Sequence, residues 1–126
     1  MSDLYQEVII EEFNHPHNQG SFPSADAEWK ERNSSCGDEF HVYLKFDESG
    51  QKILKMEWLG EGCAISTASI SLLSIDVQNK TVEEVLAMSK ADLLQLLGID
   101  EIAYGREKCL LLGLVAVKHA LKDKKT

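Results

Sequence analysis

Basic residues are scarce: 13 Lys and Arg stand against 21 Asp and Glu, leaving a formal charge of −8 at pH 7. Such a surface repels a phosphate backbone and anionic lipid alike, so neither nucleic acid nor membrane is expected as a partner. Long apolar runs are also missing. No stretch approaches the roughly 18 to 20 residues needed to cross a bilayer, and the first ten residues lack the basic start, apolar stretch and cleavage site of a leader. A soluble, cytoplasmic protein is the expectation. Proline occurs only twice in 126 residues, and no repeat, low-complexity tract or linker interrupts the chain. Residues 1–126 therefore read as a single domain able to bury its own core. Cysteine occurs three times, an odd count with no CxxC pair. That excludes a fully paired disulfide framework and a local zinc knuckle, and fits reduced thiols.

What is present is hydrophobic periodicity that changes along the chain. Tyr5, Val8, Ile9 and Phe13 recur at helical spacing until Pro16, which predicts an N-terminal helix. Residues 17–37 are rich in turn formers, with one short strand expected over Ala27 to Arg32. Phe40, Val42, Leu44 and Phe46 then alternate with Glu39, His41, Tyr43 and Lys45, the period of a half-buried strand. Asp47-Glu48-Ser49-Gly50 supplies turn chemistry, and Lys52 to Trp58 reads as the returning strand. Beyond Gly60 and Gly62 the period becomes helical. Ile65, Ala68, Leu72 and Ile75 form one stripe and Ile70, Leu73 and Val77 a second, predicting a helix buried on two sides whose serines permit close packing. Thr81-Val82-Glu83-Glu84 and Ser89-Lys90-Ala91-Asp92 resemble capping boxes opening two short helices, the second closed by Gly98. Leu110, Leu114, Val117 and Leu121 mark a C-terminal helix.

Each cysteine sits where an element changes: Cys36 before the first clear strand, Cys63 and Cys109 at helix starts. Helix N-termini present unsatisfied N–H groups and a positive dipole end, which favour thiolates. Gly37 and Gly62 flank two of the cysteines and let backbone approach a bound ion. Asp38 can supply a carboxylate oxygen as fourth ligand of a tetrahedral zinc site, and Arg106 and Lys108 can offset the excess negative charge. From spacing alone a second reading stands level with this one, because 27 and 46 residues separate the cysteines and reduced cysteine is often plain core. His15, His17, His41 and His119 are expected to face solvent, and Trp29 and Trp58 to pack.

Ser35-Cys36-Gly37-Asp38, the run Gly60-Glu61-Gly62-Cys63-Ala64-Ile65-Ser66 with Ala68-Ser69, and Arg106-Glu107-Lys108-Cys109 resemble the IscU/SufU/NifU N-terminal family of iron-sulfur assembly proteins. Leu4-Tyr5, His15-Pro16 and Asn18-Gln19-Gly20 extend the likeness to nearly the whole chain. The resemblance implies an α+β fold, with a small antiparallel sheet of about three strands packed against helices and the cysteines gathered at one exposed end. It also implies a protein that accepts persulfide sulfur from a pyridoxal-phosphate-dependent cysteine desulfurase and serves apo iron-sulfur proteins. By match, Cys36, Asp38, Cys63 and Cys109 would hold zinc or a labile [2Fe-2S] cluster; Cys36, placed on a loop, is the expected sulfur acceptor, with Arg106 and Lys108 as auxiliaries, Lys108 attracting an anionic persulfide or pairing with Asp38.

Lys108 stands where IscU-type scaffolds carry His. An ammonium cannot donate a lone pair, so the fourth ligand must be Asp38, a partner's residue or an exogenous group. Lys108, Arg106 and the absence of a Leu-Pro-Pro-Val-Lys segment resemble SufU-type zinc-dependent sulfurtransferases, whereas the lack of room for an insertion between Cys63 and Cys109 resembles IscU-type scaffolds. Two further readings are a zinc hydrolase or deaminase, which lacks a general base at His-x-Glu spacing, and a plain adaptor with inert thiols.

Overall fold

The computed structural model describes residues 3–34 and 37–123. Helix α1 (Asp3–Asn14) is followed by three strands, β1 (Ala27–Asn33), β2 (Asp38–Phe46) and β3 (Ile53–Glu61). Helices α2 (Ala64–Asp76), α3 (Val82–Leu86), α4 (Lys90–Leu97) and α5 (Glu107–Asp123) follow, with a 3₁₀ turn at Tyr104–Arg106 leading into α5. The sheet is antiparallel in the order β1-β2-β3, so the class is the expected α+β.

The period-2 pattern of β2 decides which face is covered. Asp38, Phe40, Val42, Leu44 and Phe46 are buried while Glu39, His41 and Tyr43 are half-buried on the other side. Helix α5 lies across β1 and β2 and packs on α2, which in turn packs on α1. Trp58 fills the centre, edge-on to Phe40 at 5.5 Å between ring centroids. Its indole donates to the His17 carbonyl at 2.9 Å, and its backbone N–H donates to the Asn18 carbonyl at 3.1 Å. These bonds tie the segment after α1 along the outer edge of β3. The Leu110, Leu114, Val117 and Leu121 stripe is fully covered, and Thr81 and Glu84 form the expected capping box.

Several expectations change. The third strand runs past Trp58 to Glu61, because the ladder continues through the pairs Phe40 with Gly60 and Glu39 with Glu61. Ile75 is 44% exposed and Phe13 43% exposed; helical spacing marks an apolar stripe, but no element covers those two positions fully. The side chain of Tyr5 lies outside the described residues. The covered face of α2 is instead carried by Ala68, Ile70, Leu73 and Val77 together with Ser66, Ser69, Ser71 and Ser74. Those serines are bonded rather than merely small. Ser71 Oγ donates to the buried Glu12 carboxylate at 2.6 Å, and that same oxygen lies 2.9 Å from His17 Nδ1. His41 and His119 are half-buried, His41 stacked on Tyr43 at 4.3 Å and His119 against Trp29 with Glu31 2.6 Å from Nδ1. His41 also has Glu28 of β1 3.3 Å from Nε2, so each ring meets both an aromatic face and a carboxylate, which alternation alone does not reveal.

Candidate metal centre

Three features of the chain bring distant residues to one end of the molecule. Asp38 is in phase with Phe40 and Val42, so the pleat of β2 turns its carboxylate to the helix side of the sheet, where it is buried. Cys63 follows the end of β3 by two residues and caps α2 in an extended conformation, its carbonyl accepting the Thr67 N–H at 2.9 Å. Cys109 is the third residue of α5. The approach of α5 to α2 depends on small groups: a Cβ on Gly113 would lie 2.9 Å from Ile70 Cβ, and Ser69 Oγ donates to the Leu110 carbonyl at 2.8 Å. That close crossing lays the first turn of α5 beside the first turn of α2.

The result is a cluster in which an Asp38 oxygen, Cys63 Sγ and Cys109 Sγ all lie within 4.8 Å of one another. Asp38 and Cys109 are buried and Cys63 is half-buried. Tetrahedral thiolate–zinc bonds near ~2.3 Å set donor-to-donor edges of about 3.8 Å, so the three atoms need close by only about 1 Å to hold an ion. Two sulfurs and one carboxylate oxygen suit zinc or iron and not calcium or magnesium, which take oxygen shells. The donor set therefore fits the group expected from the sequence. Cys36, two positions before Asp38, lies outside the described residues.

Around the cluster, the Ser66 hydroxyl lies 2.9 Å from Asp38 Oδ2. A cavity of about 390 Å³ opens beside Cys63, lined by Ala64, Ile65, Glu101, Ile102, Ala103 and Arg106. Arg106 and Lys108 are exposed, and among the described residues neither is ion-paired. No ion pair joins Lys108 to Asp38 among the described residues, since Asp38 is buried while Lys108 is exposed. On the outer face, Lys30 lies 2.8 Å from Glu39 and, chiefly through that hydrogen bond, holds its carboxyl below the usual 4.5. Glu107 of the same first turn pairs with Lys90 on α4, fixing the segment that carries Cys109. In the sequence Ser66 reads as a small packing residue at the end of the Gly60–Ser66 motif, and its spacing of three from Cys63 is the one local signal that places it beside the cluster.

Comparison with known proteins gives a consistent picture. The family profile "NifU-like N terminal domain" matches residues 4–126. The chain is 33% identical over 138 residues to the iron-sulfur cluster assembly scaffold protein IscU of Streptococcus pyogenes serotype M1, covering 97% of this chain and 85% of that one. It is 32% identical over 97 residues to the zinc-dependent sulfurtransferase SufU of Bacillus subtilis, covering 75% of this chain and 64% of that one. The solved N-terminal part of a NifU-like protein from Brucella abortus superposes with a TM-score of 0.77 at 22% identity, covering 95% of this chain and 93% of that one. At that identity the superposition speaks to the fold alone.

Proposed function

Because the chain belongs to the family of NifU-like N-terminal domains, we propose that it is an iron-sulfur cluster assembly protein. In this reading it accepts sulfur at Cys36 and holds zinc or a nascent cluster with Cys36, Asp38, Cys63 and Cys109. The observation that carries the reading is the meeting of a carboxylate oxygen and two sulfurs within 4.8 Å, although 25 and 46 residues separate them in order along the chain. A mere adaptor has no use for that convergence. A hydrolase reading finds no support: among the described residues, no histidine or further carboxylate joins the cluster.

In the sulfur-accepting step, the Cys36 thiolate attacks the terminal sulfur of a cysteine persulfide on a pyridoxal-phosphate-dependent desulfurase. The new S–S bond forms with the Cys36 electron pair. The donor's S–S bond breaks, and its pair returns to the donor cysteine as a thiolate. No oxidant or reductant is consumed. Arg106, on the cavity beside Cys63, would attract the anionic persulfide. Bound zinc would keep the coordinating sulfurs deprotonated. When the cargo is a cluster, a separate two-electron donor would reduce the Cys36 persulfide, cleaving its S–S bond to release sulfide and restore the thiolate; the same cysteines would then hold that sulfide with iron, and the labile product would pass to apo iron-sulfur proteins. Lys108 in place of a histidine, with Arg106 near Cys63, supports a second emphasis: sulfur transfer in the manner of the Bacillus relative.

The test is anaerobic purification with metal and acid-labile sulfide analysis, alongside transfer of ³⁵S from a cysteine desulfurase to the parent, C36A and C63A. Near-stoichiometric zinc or iron, with label on the parent and not on C36A, is expected. Equal labelling of C36A would remove Cys36 as acceptor, and a parent without metal, sulfide or label would end the reading.

A further inference from the structure

The inference rests on the metal-site reading above and concerns a residue outside the ligand set. Asp38 is 6% exposed and Ser66 is fully buried. The Ser66 hydroxyl has three acceptors in reach: Asp38 Oδ2 at 2.9 Å, the Cys63 carbonyl at 3.1 Å and Cys63 Sγ at 3.6 Å. One proton serves one acceptor at a time, and the carboxylate oxygen is both the nearest and the strongest. Room for this contact is kept by Gly62. A Cβ there would fall 2.2 Å from Ser66 Oγ, 2.9 Å from Phe40 Cζ and 3.3 Å from Asp38 Cγ, so a side chain at 62 displaces the hydroxyl from its place on the carboxylate and also presses on the buried Phe40 ring. Gly62 needs no left-handed backbone, which leaves space as the reason for glycine.

We propose that Ser66 is a positioning residue for Asp38, its hydroxyl holding Oδ2 so that the carboxylate's remaining lone pairs already face the two sulfurs when a cation arrives. Carboxylate rotation about its last bond is soft, and fixing it beforehand removes an ordering cost from metal binding. A hydroxyl aimed instead at Cys63 would tune the sulfur and not the oxygen, and the two roles separate experimentally.

Zinc affinity is measured by chelator competition on the full chain for the parent, S66A, G62A, D38A and D38A/S66A. Removing the hydroxyl is expected to weaken binding about 10- to 100-fold, the usual range for a lost outer-shell partner. G62A keeps the serine but displaces its Oγ, and should weaken binding in the same direction. In the D38A background the S66A change should cost less than about twofold, because the residue it acts through is gone. Parent-like affinity in S66A, or an undiminished S66A loss beside D38A, overturns the proposal, the latter assigning the hydroxyl to Cys63. If S66A folds too poorly to titrate, G62A against D38A/G62A makes the same comparison. A parent chain that takes up no zinc would overturn the metal-site reading as well, which distinguishes the two failures.

Discussion

Gly60 holds φ at +136°, and a Cβ there would lie 2.1 Å from the Glu39 carbonyl oxygen. Both the backbone strain and the contact fall on the last pairs of the β2–β3 ladder, immediately before Cys63. G60A is therefore expected to destabilise the fold by about 2 kcal/mol or more, read as a lower urea midpoint with an unchanged slope. A midpoint equal to the parent's would show that the strand end tolerates the side chain. At this scale the sequence is partly transparent. Asp38 could be placed on the inward face from its phase with Phe40, Val42 and Leu44, whereas the role of Ser66 depended on a neighbour 28 positions away, and a one-dimensional pattern carries no such information. Lys108 shows the converse: its charge was legible, but the direction it points was not.

Two turns illustrate how elements are held by local polar chemistry. Asp47 accepts from Ser49 Oγ at 2.8 Å and from the Gln51 N–H at 3.2 Å in the β2–β3 hairpin, and these bonds, Ser49's foremost, hold its carboxyl below 3.8. Glu84 closes the α3 capping box, where the Thr81 backbone N–H chiefly holds its carboxyl below 4.5. A carboxyl whose folded value is depressed stabilises the fold above its unfolded value and loses that contribution as pH falls through the folded one. Urea midpoints are thus expected to drop on acidification below about pH 4. The drop should be shallower in D47N/E84Q, whose amides do not titrate; an identical acid slope would reject the assignment. Capping boxes and the hairpin turn were readable because their partners lie within five residues. The apolar stripe through Ile75 misled for the opposite reason, since period marks a face and not what covers it.

For the molecule as a whole, the charge of −8 bears on partner encounter. The desulfurase association proposed above, if made to basic patches of that partner, is expected to weaken as ionic strength rises from about 0.05 M to about 0.5 M, where the Debye length shrinks from about 14 Å to about 4 Å. An affinity independent of salt would place recognition on apolar contacts such as Tyr104, which is 91% exposed in the 3₁₀ turn that ends at Arg106. Among the described residues no helix is long and apolar enough to cross a membrane. Periodicity by itself determined the order of the elements, because alternation and helical spacing are local properties of the chain, whereas the α+β class and the choice of Cys36, Asp38, Cys63 and Cys109 as one site came from the resemblance of the motifs around them. Only the tertiary structure decided that Asp38, Cys63 and Cys109 meet. Their meeting depends on the ladder reaching Glu61 and on α5 crossing α2 closely at Gly113 and Ser69, long-range contacts whose geometry is set by packing across the core.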